Sequence, residues 1–121
     1  ETRLFINNEF VNAMGGRTFE TVNPATEKVI AHVQRAEEAD VNAAVLAATA
    51  AFADGSRWRE CNASDRRDAL LNLAALVEEN KDYLSALESL DNGKPYKNAA
   101  YSAQIDLHFT VQCLKYYAGW A

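Results

Sequence analysis

Proline, glycine and cysteine are all scarce in this chain: two, five and two of 121 residues. So few breakers exclude a Pro/Gly-rich disordered chain or a collagen-like repeat. Cys61 and Cys113 stand far apart with no Cys-x-x-Cys pair, which argues against a disulfide scaffold or a zinc ribbon. That usage predicts reduced thiols in an intracellular compartment. Basic side chains are also in deficit, 12 against 17 acidic, for a net charge of −5 at neutral pH. Without a Lys/Arg block, neither a nucleic acid nor a membrane surface is the expected partner. No apolar run nears the ~20 residues that span a bilayer, and Glu1-Thr2-Arg3-Leu4 lacks a signal peptide's apolar centre. No strand leads into a Gly-rich turn that could cradle a dinucleotide.

What is present is a chain 49% apolar and rich in alanine. It is long enough for one modest core, so one domain or a piece of one is expected, mostly helical. Residues 1–35 read as two β-hairpins and 36–121 as the helical part. Leu4-Phe5-Ile6 and Glu9-Phe10-Val11 flank Asn7-Asn8, a pair that tolerates the positive φ of a tight turn. Thr18–Val22 and Val29–Val33 flank Asn23-Pro24-Ala25-Thr26, where proline suits a turn and His32 faces outward. From Glu37 the period becomes helical, with Val41, Ala44, Val45, Ala48 and Phe52 on one face, until Gly55. Asn62-Ala63-Ser64-Asp65 supplies caps for a helix bearing Leu70, Leu73, Ala74 and Val77 to about Asn80. A third helix with Tyr83, Leu84, Leu87 and Leu90 ends at Asn92-Gly93-Lys94-Pro95. A fourth is expected from roughly Lys97 to Tyr117, with Ala100, Ala103, Leu107, Val111, Leu114 and Tyr117 on one face. Such helices and hairpins, ending in Tyr116-Tyr117-Ala118-Gly119-Trp120-Ala121, predict an incomplete domain whose remaining wall comes from elsewhere.

Few polar residues suggest chemistry. Asp91 adds a carboxylate to a helix end already carrying partial negative charge, an arrangement that a hard cation held by carboxylate and carbonyl oxygens would relieve. Bonding to turn amides would serve equally well. Lys94 lacks the phosphate-loop spacing and is expected to face solvent. His108 cannot form a dyad with Asp106 or Cys113, two and five residues away on a helix. Cys113 reads as a small buried hydrophobe and Cys61 as an unactivated loop thiol. Asn62-Ala63-Ser64 reads as a helix cap, and Glu78-Glu79 with Asp82 as a solvated face. No nucleophile is placed with a base, so no catalytic residue is assigned.

Leu4–Phe10, Phe19–Thr26, Ala86–Tyr96 and Lys115–Ala121, taken in order, resemble the opening of an NAD(P)-dependent aldehyde dehydrogenase. The likeness is greatest to the mitochondrial, cytosolic and retinal dehydrogenase class. It implies an α/β aldehyde dehydrogenase fold in the complete protein, with this stretch the N-terminal portion of the cofactor-binding domain. It also implies oxidation of an aldehyde to a carboxylic acid with NAD or NADP, both cofactor and catalytic residues being supplied by later sequence. In that scheme a cysteine thiolate attacks the aldehyde, hydride leaves to the nicotinamide, and water hydrolyses the thioester. Further implications are a structural sodium ion held by the Val22 backbone and Asp91, and a substrate-tunnel wall at Ile105 and Phe109. The tunnel assignment counts back from Tyr116-Tyr117, and Lys97 to Gln104 exceeds the family pattern by a short insertion. The partners implied are the rest of the same polypeptide and further copies of it, in the mitochondrial matrix or cytoplasm. The competing expectation is a non-enzymatic interaction module derived from the same family.

Overall fold

Asn7 and Asn8 take φ of 53° and 63°, so two short polar side chains absorb a turn that most residues resist. They join β1 (Leu4–Ile6) to β2 (Glu9–Val11) as an antiparallel pair, with Phe5 facing Phe10 at 5.0 Å between ring centroids. The structure is a computed structural model that describes residues 1–121. A second antiparallel pair joins β3 (Thr18–Val22) to β4 (Val29–Gln34), with an irregularity between Thr21 and Val22. Its turn is closed by Asn23, whose Oδ1 accepts the Ala25 N–H at 2.8 Å. His32 is exposed on β4, as its alternation predicted.

Five helices follow: α1 (Glu38–Ala51), α2 (Arg57–Glu60), α3 (Ala63–Glu79), α4 (Lys81–Asn92) and α5 (Ala103–Ala118). The chain divides into two compact units, one of residues 1–22 and 27–60, the other of residues 23–26 and 61–121.

In the first unit the fixed point is Asp40, only 2% exposed. One carboxylate oxygen accepts the Met14 N–H and the other the Glu37 N–H, each at 2.9 Å. The second bond caps the start of α1, while the first ties α1 to the loop after β2. These backbone donors, Glu37 foremost and then Met14, hold the Asp40 carboxyl below its ordinary value against the opposing effect of burial. Gln34 adds a second tie, its Oε1 accepting the Ala13 N–H at 2.8 Å. Beyond Gly55, at φ 79°, the single turn α2 forms where a loop was expected. Ser56 starts it by accepting the Glu60 N–H on its carbonyl at 3.0 Å.

In the second unit α5 packs along α3 and against α4. The buried apolar residues there are Ala74, Ala103, Val111 and Ala118. Alanine allows backbones to approach closely but fills little volume. On α4 the buried position is Ser85, whose hydroxyl has no partner, whereas Leu87, Leu90 and Tyr83 are exposed. Asp65 accepts the Asn62 N–H at 3.1 Å, so the Asn62 sequence is a helix start, as expected.

Three expectations are corrected. The last helix begins at Ala103, not near Lys97. Asn98 turns left-handed at φ 63°, and the Ala103 and Gln104 amides bond Pro95 and Tyr96 carbonyls at 3.0 and 3.2 Å instead of a preceding helical turn. Ala100 is therefore exposed, and Tyr117, expected on the same face, is exposed too because Ala118 takes the inward position. Cys113 is exposed as well, because Val111 occupies the inward position and two residues rotate a helix by about 200°. Large apolar side chains remain uncovered in both units, among them Leu46, Leu76, Tyr101 at 82% and Trp120 at 75%. No helix is long and apolar enough to cross a membrane.

Asp40→Asn keeps one acceptor and sets an amide NH2 against the other backbone donor. The expected result is accelerated amide exchange at Met14 and Glu37 and a melting temperature lower by several degrees. In the unsubstituted protein the Asp40 contribution holds above the ordinary carboxylate value, about pH 4. It is lost as pH falls through the lowered folded value, so both amides should exchange faster, after correction for intrinsic rates, only in strong acid. Gly93 is the other sensitive point. It sits at φ 78°, and a Cβ there would lie 2.8 Å from Pro24 Cγ. Gly93→Ala should cost at least about 1 kcal/mol in denaturant unfolding. Gly93→Asn, which tolerates the φ but not the collision, should recover only part of that loss.

Candidate functional site

The junction of α4 and α5 gathers most of the residues singled out in the sequence. Asp91 lies exposed in the last turn of α4, among the carbonyl oxygens that end a helix. Gly93 then reverses the chain, its N–H donating to the Ser89 carbonyl at 3.1 Å. The next residue is gripped from both sides: Asn92 Oδ1 accepts the Lys94 N–H at 2.8 Å, and Ser89 Oγ donates to the Lys94 carbonyl at 2.6 Å.

Held in this way, Lys94 reaches Asp106 in the first turn of α5, with Nζ to Oδ2 at 2.6 Å. The expected solvent-facing lysine is thus an ion-pair partner that links the end of one helix to the start of the next. Asp106 also sits at the favourable, positive end of α5. The hydrogen bond to Asp106 raises the Lys94 pKa, outweighing partial desolvation. Its sign is that of a lysine gaining a partner: the contribution is complete below the unfolded lysine value, about pH 10, and is lost as pH rises through the higher folded value.

Ile105 and Phe109 stand one turn apart on α5 and therefore share a face. Ile105 is half-buried, while Phe109 is exposed and meets the His108 ring edge-on at 5.7 Å. Val22 is the last residue of β3, paired with Val29, and belongs to the first unit, whereas Asp91 belongs to the second. No group of three or more His, Cys, Asp or Glu residues could by itself hold a metal ion. Cys61 is half-buried, with its carbonyl accepting from Arg66 Nη1 at 2.9 Å.

An open cleft at this junction was not foreseen. Lys81 from α4, Lys97 and Asn98 from the turn, and Gln104, Ile105 and His108 from α5 all line it. Extending α5 back to Lys97 in the sequence reading hid it, because the cleft depends on residues 97–102 forming a turn. Asn98 was the available signal, since asparagine adopts positive φ more readily than its neighbours do. Chemically, the junction offers an apolar helix face, a held ion pair and a cationic recess. These are groups that bind and orient.

The aldehyde dehydrogenase family profile matches residues 10–121. Mitochondrial aldehyde dehydrogenase of Sus scrofa is 52% identical over 119 residues, covering 98% of this chain and 22% of that protein. Retinal dehydrogenase 2 of Gallus gallus is 46% identical over 120 residues, covering 99% and 23%. Among solved structures, the NAD+ complex of aldehyde dehydrogenase from Bacillus cereus superposes with a TM-score of 0.91 at 49% identity, covering 99% of this chain and 24% of that one. This chain therefore spans between a fifth and a quarter of the length of the relatives it matches. On a match that runs almost from end to end, at about half identity and with the same fold, the chain belongs to the aldehyde dehydrogenase family.

Proposed function

We propose that the complete protein oxidises an aldehyde to a carboxylic acid with NAD+ or NADP+, and that residues 1–121 serve as scaffold and as one wall of the aldehyde entrance. The observation that carries this reading is the continuity of the match from residue 10 to 121 with aldehyde dehydrogenases, one of them crystallised with NAD+. The wall would be the shared α5 face of Ile105 and Phe109. The residues present do not fit a nucleotide: both sheets are two-stranded and antiparallel, with no strand entering a Gly-rich turn and helix. Cofactor binding and bond-making are accordingly assigned to sequence outside these 121 residues. As a domain, residues 1–121 form the N-terminal portion of the cofactor-binding domain, with exposed apolar side chains covered by the rest of the polypeptide and by further copies. A mitochondrial matrix location follows the mitochondrial relatives.

A sodium ion suits the donor chemistry of Asp91, a carboxylate among helix-terminal carbonyl oxygens, which are hard ligands for a hard cation.

The test is NADH or NADPH formation by the complete protein with a panel of aliphatic, aromatic and retinoid aldehydes. Turnover with at least one, with the matching acid as product, is expected. A folded protein that oxidises none favours a non-enzymatic interaction module instead. Separately, sodium in place of choline should raise the melting temperature of the complete protein, and Asp91→Ala should remove most of that rise. An unchanged rise in the variant would take the cation away from Asp91.

A further inference from the structure

Charge is unevenly distributed around the α4–α5 junction. Three acidic side chains around it have partners: Asp106 with Lys94 at 2.6 Å, Asp82 with the Tyr96 hydroxyl at 3.1 Å, and Glu78 with Lys115 at 3.3 Å. Lys81 and Lys97 enter no ion pair, and both border the open cleft with His108. No aspartate or glutamate borders that cleft, although the chain carries 17 acidic residues against 12 basic. Its volume is about 500 Å³, on the scale of small-molecule recesses. Asn98 and Gln104, which bear side-chain amides, also line it, and Ile105 is the largest of its apolar residues.

Ammonium groups that border a recess with no carboxylate in its lining favour an anion there. The amides add neutral donors for the same oxygens. Ile105 would cover a short methylene stem, and it is also one of the two residues assigned to the aldehyde entrance. We propose that this cleft binds the carboxylate of a small organic anion, and that the preferred substrates are aldehydes bearing a terminal carboxylate. The substrate part of this inference rests on the aldehyde oxidation proposed above, whereas the anion-binding part does not.

The experiment combines direct binding with substrate selectivity in the complete protein. Calorimetric titration with glutarate should saturate, whereas neutral glutaramide should give no binding heat. Lys81→Gln combined with Lys97→Gln should weaken glutarate binding at least about tenfold. The kcat/KM ratio for adipic semialdehyde over hexanal should fall by a similar factor, and the corresponding double arginine variant should restore it. Recovery by arginine separates loss of charge from damage to the fold. Hexanal oxidation with no semialdehyde preference, or a preference that the glutamine variant keeps, overturns the substrate assignment and leaves the oxidation reading intact. Lysine-dependent glutarate binding in a protein that oxidises neither aldehyde overturns the oxidation reading and the substrate assignment while leaving the anion site. Equal binding of glutarate and glutaramide overturns the anion site itself.

Discussion

Gly93 ends α4 at φ 78° with Pro24 against the face where any other residue would carry a Cβ. The placement of α5 depends on this bend. Past it, Lys94 is fixed by two bonds to its own backbone and then by an ion pair to Asp106, which sits in the first turn of α5. An ion pair this exposed adds little stability by itself. Its importance is geometric, because it locks the start of α5 to the end of α4 and thereby fixes the direction in which Ile105, His108 and Phe109 point. A residue remote from any reacting group can in this way position those that line an entrance.

Much of the local structure could be read from the sequence because it is written in residues with one dominant conformational preference. Asn7-Asn8 specified a hairpin, Asn62 with Asp65 a helix start, and Gly93 before Pro95 a helix end, each by a short-range mechanism. The errors arose where long-range pairing decides. Residues 97–102 carry a helix-compatible composition, yet Pro95 and Tyr96 carbonyls capture the Ala103 and Gln104 amides, so the helix starts later. The Lys94–Asp106 contact spans twelve residues, and no periodicity announces it. Cys113 was misread because apolar residues recurring at every second position of 103–113 admit more than one inward face, and only packing against α3 selects Val111.

The apolar side chains explain why the functional reading had to come from resemblance and not from an assembled active site. The buried apolar set is four alanines and one valine, while Phe, Leu, Tyr and Trp side chains lie at the surface. In a chain that buried its own core, the large residues would hold the interior, because burial of apolar area is what offsets the entropy of folding. Here the small residues lie between helices, and the large ones face outward from α1, α3, α4 and α5. That distribution leaves large apolar faces uncovered in a chain that spans under a quarter of its relatives' length.

Electrostatics separates structural groups from candidate binding groups within the same few turns. Where a charge supports the fold, its partner is close and specific: Asp40 with two backbone amides, Arg17 with Glu37 at 3.0 Å, Lys94 with Asp106. Lys81 and Lys97 follow a different rule: they enter no ion pair and border a shared recess whose lining holds no carboxylate. Solvent can accommodate a single lysine at no cost, so either one alone would carry no meaning. What distinguishes the pair is that both border one cleft with His108 and that no aspartate or glutamate lines it. A cleft lined by cationic side chains and no carboxylate favours negative charge, and the apolar neighbour Ile105 suits an anion that carries a short hydrocarbon stem.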